Sequence, residues 1–78
     1  MIKLDAGDRV CALTGARDVF RRSGVVSELL PGLARVELDD GGEELIGEHA
    51  RGVVVEHVTG ARTTQYEGSG WYVLRAAA

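Results

Sequence analysis

This sequence is short of cross-links, prolines and large rings. Its 78 residues contain one cysteine, one proline, one methionine, one phenylalanine, one tryptophan and two tyrosines. With Cys11 alone, no disulfide can form within the chain. No cluster of Cys and His has zinc-ligand spacing, so a structural metal is not expected as a staple. No run approaches the roughly 18–20 apolar residues that span a bilayer. The opening Met1-Ile2-Lys3-Leu4-Asp5 lacks the apolar stretch of a secretory signal. These features and the lone thiol fit a cytoplasmic location with no membrane partner. Net charge is -3, from twelve acids against nine bases, and Lys3 is the single lysine. A dedicated nucleic-acid binder carries the opposite balance, because phosphate neutralisation supplies most of its affinity.

What is abundant is glycine, eleven residues placed mostly between short apolar runs. Short, β-branched segments with turn residues between them predict an all-β domain. We expect a single domain over residues 1–78, built as a small open barrel of five to six short antiparallel strands. Its core is expected in 6–58, and 59–78 is expected to form an extra C-terminal hairpin arm. A chain of this size buries only about 60–65% of the surface its unfolded form exposes, so its stability is marginal. Self-association is one way to supplement it.

The expected strands follow from periodicity. Asp8 to Leu13 is the first, with Ile2 and Leu4 as a short leading extension. Thr14 to Ser23 reads as a long charged loop. Gly24 to Leu30 is the second strand, and its apolar residues fall on both faces. A bulge near Ser27-Glu28 reconciles them. Pro31-Gly32 is a tight turn. In Leu33 to Leu38, Ala34, Val36 and Leu38 alternate with Arg35 and Glu37, so one face is buried and the other wet. Asp39-Asp40-Gly41-Gly42 is a hairpin signal and Glu43 to Ile46 the returning arm. Gly47 to Gly52 is compatible with one helical turn. Val53 to Val58 is a valine-led strand, Thr59 to Ser69 a polar loop, and Gly70 to Arg75 the last strand.

Gly7-Asp8-Arg9-Val10, Gly24-Val25-Val26 and Leu33-Ala34-Arg35-Val36-Glu37-Leu38-Asp39-Asp40-Gly41 together resemble the SH3-like small barrels, the KOW and Tudor-like group in particular. The resemblance covers 6–58 and implies a strand, long loop, strand, tight turn, strand and Asp-Gly hairpin in that order. This superfold hosts many unrelated functions. Its short dihydrofolate reductases use a Val-Gln-Ile-Tyr stretch where this chain reads Glu43-Glu44-Leu45-Ile46, and no site residue is carried over from them.

Two groups of residues stand out as candidate binding residues. Arg17, Phe20, Arg21 and Arg22 place three arginines beside the one phenylalanine, a composition that buries large area and makes directional contacts. The other reading is that Phe20 caps the barrel and the arginines are solvated. Trp71 and Tyr72 are adjacent on a strand and must face opposite sides. At most one can enter the core of a single sheet, so the other is expected at an interface, with edge pairing to another chain as one route.

The remaining motifs carry less. Glu48-His49 and Glu56-His57 would need to converge to hold a metal, and no metal or other cofactor is expected. Cys11 lacks a neighbouring base, so no catalytic residue is assigned. Thr14-Gly15-Ala16-Arg17 recurs as Thr59-Gly60-Ala61-Arg62, either as paired loops or as turn chemistry used twice. The leading expectation is a non-enzymatic module that binds a protein partner, its own copy included. The alternatives are a nucleic-acid accessory domain and a small oligomeric enzyme with an interfacial site.

Overall fold

Two turns set the register of the central meander. Pro31-Gly32 and Asp39-Asp40-Gly41-Gly42 each reverse the chain, with Gly32 at φ 73° and Gly41 at φ 96°, values that side chains with a Cβ rarely adopt. The computed structural model describes residues 1–14, 19–64 and 68–77, with backbone alone at 19–21. It is all-β. The strands are β1 (Ile2–Lys3), β2 (Arg9–Thr14), β3 (Val19–Leu30), β4 (Leu33–Leu38), β5 (Glu43–Gly47), β6 (His49–Ala50), β7 (Val53–Glu56), β8 (Arg62–Thr64) and β9 (Gly70–Ala76).

Seven of them form one open sheet in the order β5-β4-β3-β2-β9-β7-β8, and β1 pairs with β6 as a separate ribbon. The pairing is antiparallel except for β7 with β9, which run parallel. The predicted bulge is present: the β3–β4 register shifts between Val26 and Glu28. A second shift, between Ala12 and Leu13, lies in the β2–β3 pairing.

The sheet has an apolar cluster on each face. On one face, Val10, Val26, Ala34, Val36, Ile46 and Val73 pack with Leu4 and Ala50 of the ribbon end. On the other, Cys11, Leu13, Val54 and Tyr72 form a smaller cluster flanked by Leu74. The alternation of β2 and β9 explains the split. Val10 faces Val73 across the pair, and Cys11 faces Tyr72, so each successive rung sends its side chains to the opposite side.

The topology corrects several expectations. Residues 47–52 hold the two-residue strand β6 rather than a helical turn, because Ala50 and His49 pair with Ile2 and Lys3. The long loop before residue 24 is shorter than expected, since β3 starts at Val19 and is twelve residues long. The C-terminal segment is not a hairpin arm. β8 and β9 flank β7 on opposite sides and do not pair with each other. β9 inserts between β2 and β7, so the core extends past residue 58 to Val73. The alternation in the last strand was legible; its partners depend on contacts distant in sequence.

The chain covers its core with its own atoms. It exposes 4915 Å², close to the roughly 4,600 Å² of a monomeric protein of this mass.

Candidate functional site

Across the middle of the sheet, Trp71 of β9 stands opposite Ala12 of β2, and Ala12 stands opposite Arg22 of β3. Paired residues share a face, so the three side chains form one row. The alanine between the two long side chains leaves room for them to meet above it. The Arg22 guanidinium carbon lies over the indole, 5.9 Å from the ring centroid. The indole is half-buried and packs against the larger cluster, while its remaining area stays open. Arg22 also forms an ion pair with Glu44 of the edge strand β5. Indole, guanidinium and carboxylate from β9, β3 and β5 therefore make one continuous surface. A cation over an indole at an exposed site contributes about 0.5–1 kcal/mol, and an exposed ion pair about 0–1 kcal/mol.

The structure thus brings together two of the six expected site residues, Arg22 and Trp71. Tyr72 is corrected: it is fully buried in the smaller cluster, and its hydroxyl donates to the Gly68 carbonyl at 3.1 Å. The protein's own atoms cover this ring, so it is not a surface contact. Edge pairing through the last strand is corrected too, since β9 has β2 on one side and β7 on the other. Arg17 lies outside the described residues. The backbone of Phe20 and Arg21 belongs to β3, and their side chains lie outside the described set.

Arg51 was not singled out from the sequence. Its backbone N–H donates to the Trp71 carbonyl at 2.8 Å, and its guanidinium donates to the Ser69 carbonyl at 2.8 Å. The side chain lies on Gly70, where a Cβ would sit 2.3 Å from the arginine Cδ. The Gly-Ser-Gly run before Trp71 carried a signal for this contact, because a bare backbone admits a side chain stem laid across it.

A second polar cluster ties β2 to the β4–β5 turn. Arg9 grips Asp39 with two hydrogen bonds, 2.8 and 3.1 Å long, and the Ser23 hydroxyl donates to the same carboxylate at 2.7 Å. The bonds from Arg9 and Ser23 hold the Asp39 carboxyl below its usual range, and the carboxylate in turn raises the Arg9 pKa. Arg62 pairs with Glu56 at 2.7 Å, and Arg35 with Glu28 at 3.4 Å.

Cys11 is fully buried, and burial pushes its thiol up to about 11, only partly offset by Arg62 and Arg9. At neutral pH it is a protonated core residue, without the thiolate that nucleophilic chemistry requires. Among the described residues no three His, Cys, Asp or Glu are grouped to hold an ion. His49 sits 3.8 Å from its neighbour Glu48, and His57 lies 3.5 Å from the Thr63 hydroxyl. In the second Thr-Gly-Ala-Arg copy, Gly60 N–H donates to the His57 carbonyl and His57 N–H to the Ala61 carbonyl, the bonds of a local turn. The first copy lies outside the described residues after Thr14.

Compared with known proteins, the chain finds no counterpart: no family model matches it, and no curated protein or solved structure does.

Proposed function

We propose that this chain is a non-enzymatic protein-binding module whose contact surface is the Arg22–Trp71–Glu44 face. The carrying observation is the guanidinium held over a half-open indole by an ion pair from a third strand. Arginine and tryptophan are among the residues that most often anchor protein contacts, because both bury large areas and make directional contacts. Here both are set on strands rather than loops, so their mutual geometry costs little to fix on binding. The resemblance to SH3-like small barrels belongs to this proposal. Its support is the order of strands, bulge and turns through β2 to β5. The open seven-stranded sheet with parallel β7 and β9 differs from the all-antiparallel arrangement expected from it.

Trp71 is the one tryptophan, so in the folded protein its emission reports on this surface. A random peptide library is panned on the immobilised protein, and enriched peptides are titrated against wild type and Arg22→Ala. The expected result is a peptide that shifts Trp71 emission and binds Arg22→Ala about tenfold more weakly, or about 1.4 kcal/mol. Peptides that leave the emission unchanged and bind both proteins equally would overturn the proposal. So would binding of a single-stranded oligonucleotide that is lost steeply with salt, which would place the chain among nucleic-acid binders.

A further inference from the structure

We propose that the free edge of β5 pairs antiparallel with β5 of a second copy, centred on Leu45, so that two sheets join across a two-fold axis. It shares Glu44 with the Arg22–Trp71–Glu44 face but is argued from the backbone phase of β5 and does not rest on that reading.

Among the described residues, β5 ends the seven-stranded sheet and is paired on one side, with β4. The phase of that pairing fixes which of its backbone groups point outward. The Leu38 N–H donates to the Gly42 carbonyl at 2.7 Å, so Leu38 and Gly42 form a hydrogen-bonded rung. Rungs alternate in an antiparallel ladder. Stepping two residues at a time, Val36 with Glu44 and Ala34 with Ile46 are hydrogen-bonded rungs as well. The intervening rungs, Glu37 with Glu43, Arg35 with Leu45 and Leu33 with Gly47, direct their β5 N–H and C=O groups to the open edge.

Few registers let two such edges meet. Outward groups must face outward groups, and both sheet faces must continue without inversion. Centring on Glu44 sets that carboxylate opposite its own copy, which is repulsive. Centring on Ile46 draws in Glu48, whose carbonyl already accepts from Leu4 N–H at 2.8 Å. Centring on Leu45 uses all five residues. Glu43 meets the partner's Gly47, Glu44 meets the partner's Ile46, and Leu45 meets the partner's Leu45. Every outward N–H and C=O of Glu43, Leu45 and Gly47 then finds a partner.

The side chains agree with this register. A Cβ at Gly47 would have nothing within 4 Å, so the rung opposite the partner's Glu43 is open. A shallow depression of about 230 Å³ is lined by Arg35 of β4 and by Glu43, Glu44 and Leu45 of β5. Leu45 is 53% exposed and Leu33 39%, and both lie on the face away from the larger cluster, as Arg35 does. The pairing covers Leu45 with its own copy and sets acids against neutral residues rather than against each other. A contact of five residues per copy falls below the roughly 1,200 Å² of stable complexes, so the dimer is of the weak, transient class.

Disulfide trapping tests the register. Partners on a hydrogen-bonded rung have Cα atoms about 5.5 Å apart, within disulfide reach. Under mild oxidation at high protein concentration, Leu45→Cys is expected to form a covalent dimer at least tenfold faster than Glu43→Cys. Two copies of residue 43 would stand four residues out of register, roughly 14 Å apart. A mixture of Glu43→Cys and Gly47→Cys is expected to cross-link to each other. The buried Cys11 does not compete. Sedimentation velocity adds a second arm: wild type is expected to show a concentration-dependent dimer that Leu45→Lys abolishes while Trp71 emission stays unchanged. Equal trapping at 43 and 45, no trapping at either, or a dimer that survives Leu45→Lys would overturn the proposal.

Discussion

Raising the pH should destabilise this protein through one buried thiol. Cys11 sits in the smaller cluster beside Leu13, Val54 and Tyr72, with no exposed area. Burial raises its pKa from 9.0 to about 11. Because the folded value is the higher one, the unfolded chain loses its proton first. The stabilisation is complete below about pH 9 and is lost as pH rises toward 11. At pH 10 the unfolded thiol is about nine-tenths ionised and the folded one about one-tenth, which costs about 1.4 kcal/mol of stability. The assay is urea unfolding followed by Trp71 emission, at about pH 8 and pH 10, for wild type and Cys11→Ala. The variant loses packing at both pH values, so the informative quantity is the difference between them. Groups common to both proteins, the tyrosines included, cancel in that comparison. Wild type should lose about 1.4 kcal/mol more than the variant between the two pH values. Equal losses would refute the reasoning and place the thiol in contact with water.

Other perturbations have equally definite outcomes. Gly24→Ala should lower the stability measured by urea unfolding by about 2 kcal/mol, because a Cβ there would lie 2.3 Å from the Glu37 carbonyl oxygen and 2.8 Å from Val36 Cγ1. Tyr72→Phe should cost about 1 kcal/mol by chemical denaturation, from loss of the bond to the Gly68 carbonyl. Asp39 titrates below its usual range, so its contribution is present above about pH 4 and is lost as pH falls through the lower folded value. Asp39→Asn should therefore show a shallower loss of stability than wild type between about pH 5 and pH 2 in acid titrations followed by circular dichroism.

The meander was legible in the sequence because its signals are local. The alternation of Ala34, Val36 and Leu38, the Asp-Asp-Gly-Gly turn and the two-sided apolar pattern around Ser27 each specify geometry within a few residues. Leu33–Leu38 has the bounds read from its period, and the bulge is at the residue where the pattern broke. The last strand was different. The opposed directions of Trp71 and Tyr72 follow from strand geometry alone, but their fates depend on what lies above each face. Tyr72 finds Cys11, Leu13 and Val54, three residues from two strands distant in sequence, and no local pattern announces that cluster. The insertion of β9 between β2 and β7 is likewise a choice among long-range pairings. Arg22 was readable as a candidate by composition. Its position over Trp71 rests on Ala12, a small residue whose importance appears only once β3, β2 and β9 lie side by side. Gly47 to Gly52 carried no clear local pattern and was compatible with a helical turn, while the pairing of His49 and Ala50 with Lys3 and Ile2 makes a short strand there.

One strand, β9, serves both faces of the sheet, with the phenol ring inside and the indole beside a guanidinium. Proton NOE spectroscopy of the free protein reads this directly. This arrangement predicts contacts from the Tyr72 ring to Val54 and Leu13 methyl protons, and from the Trp71 indole to Ala12 and Arg22 side chains. Contacts from the indole to Val54, or a Tyr72 ring without any to that cluster, would contradict it.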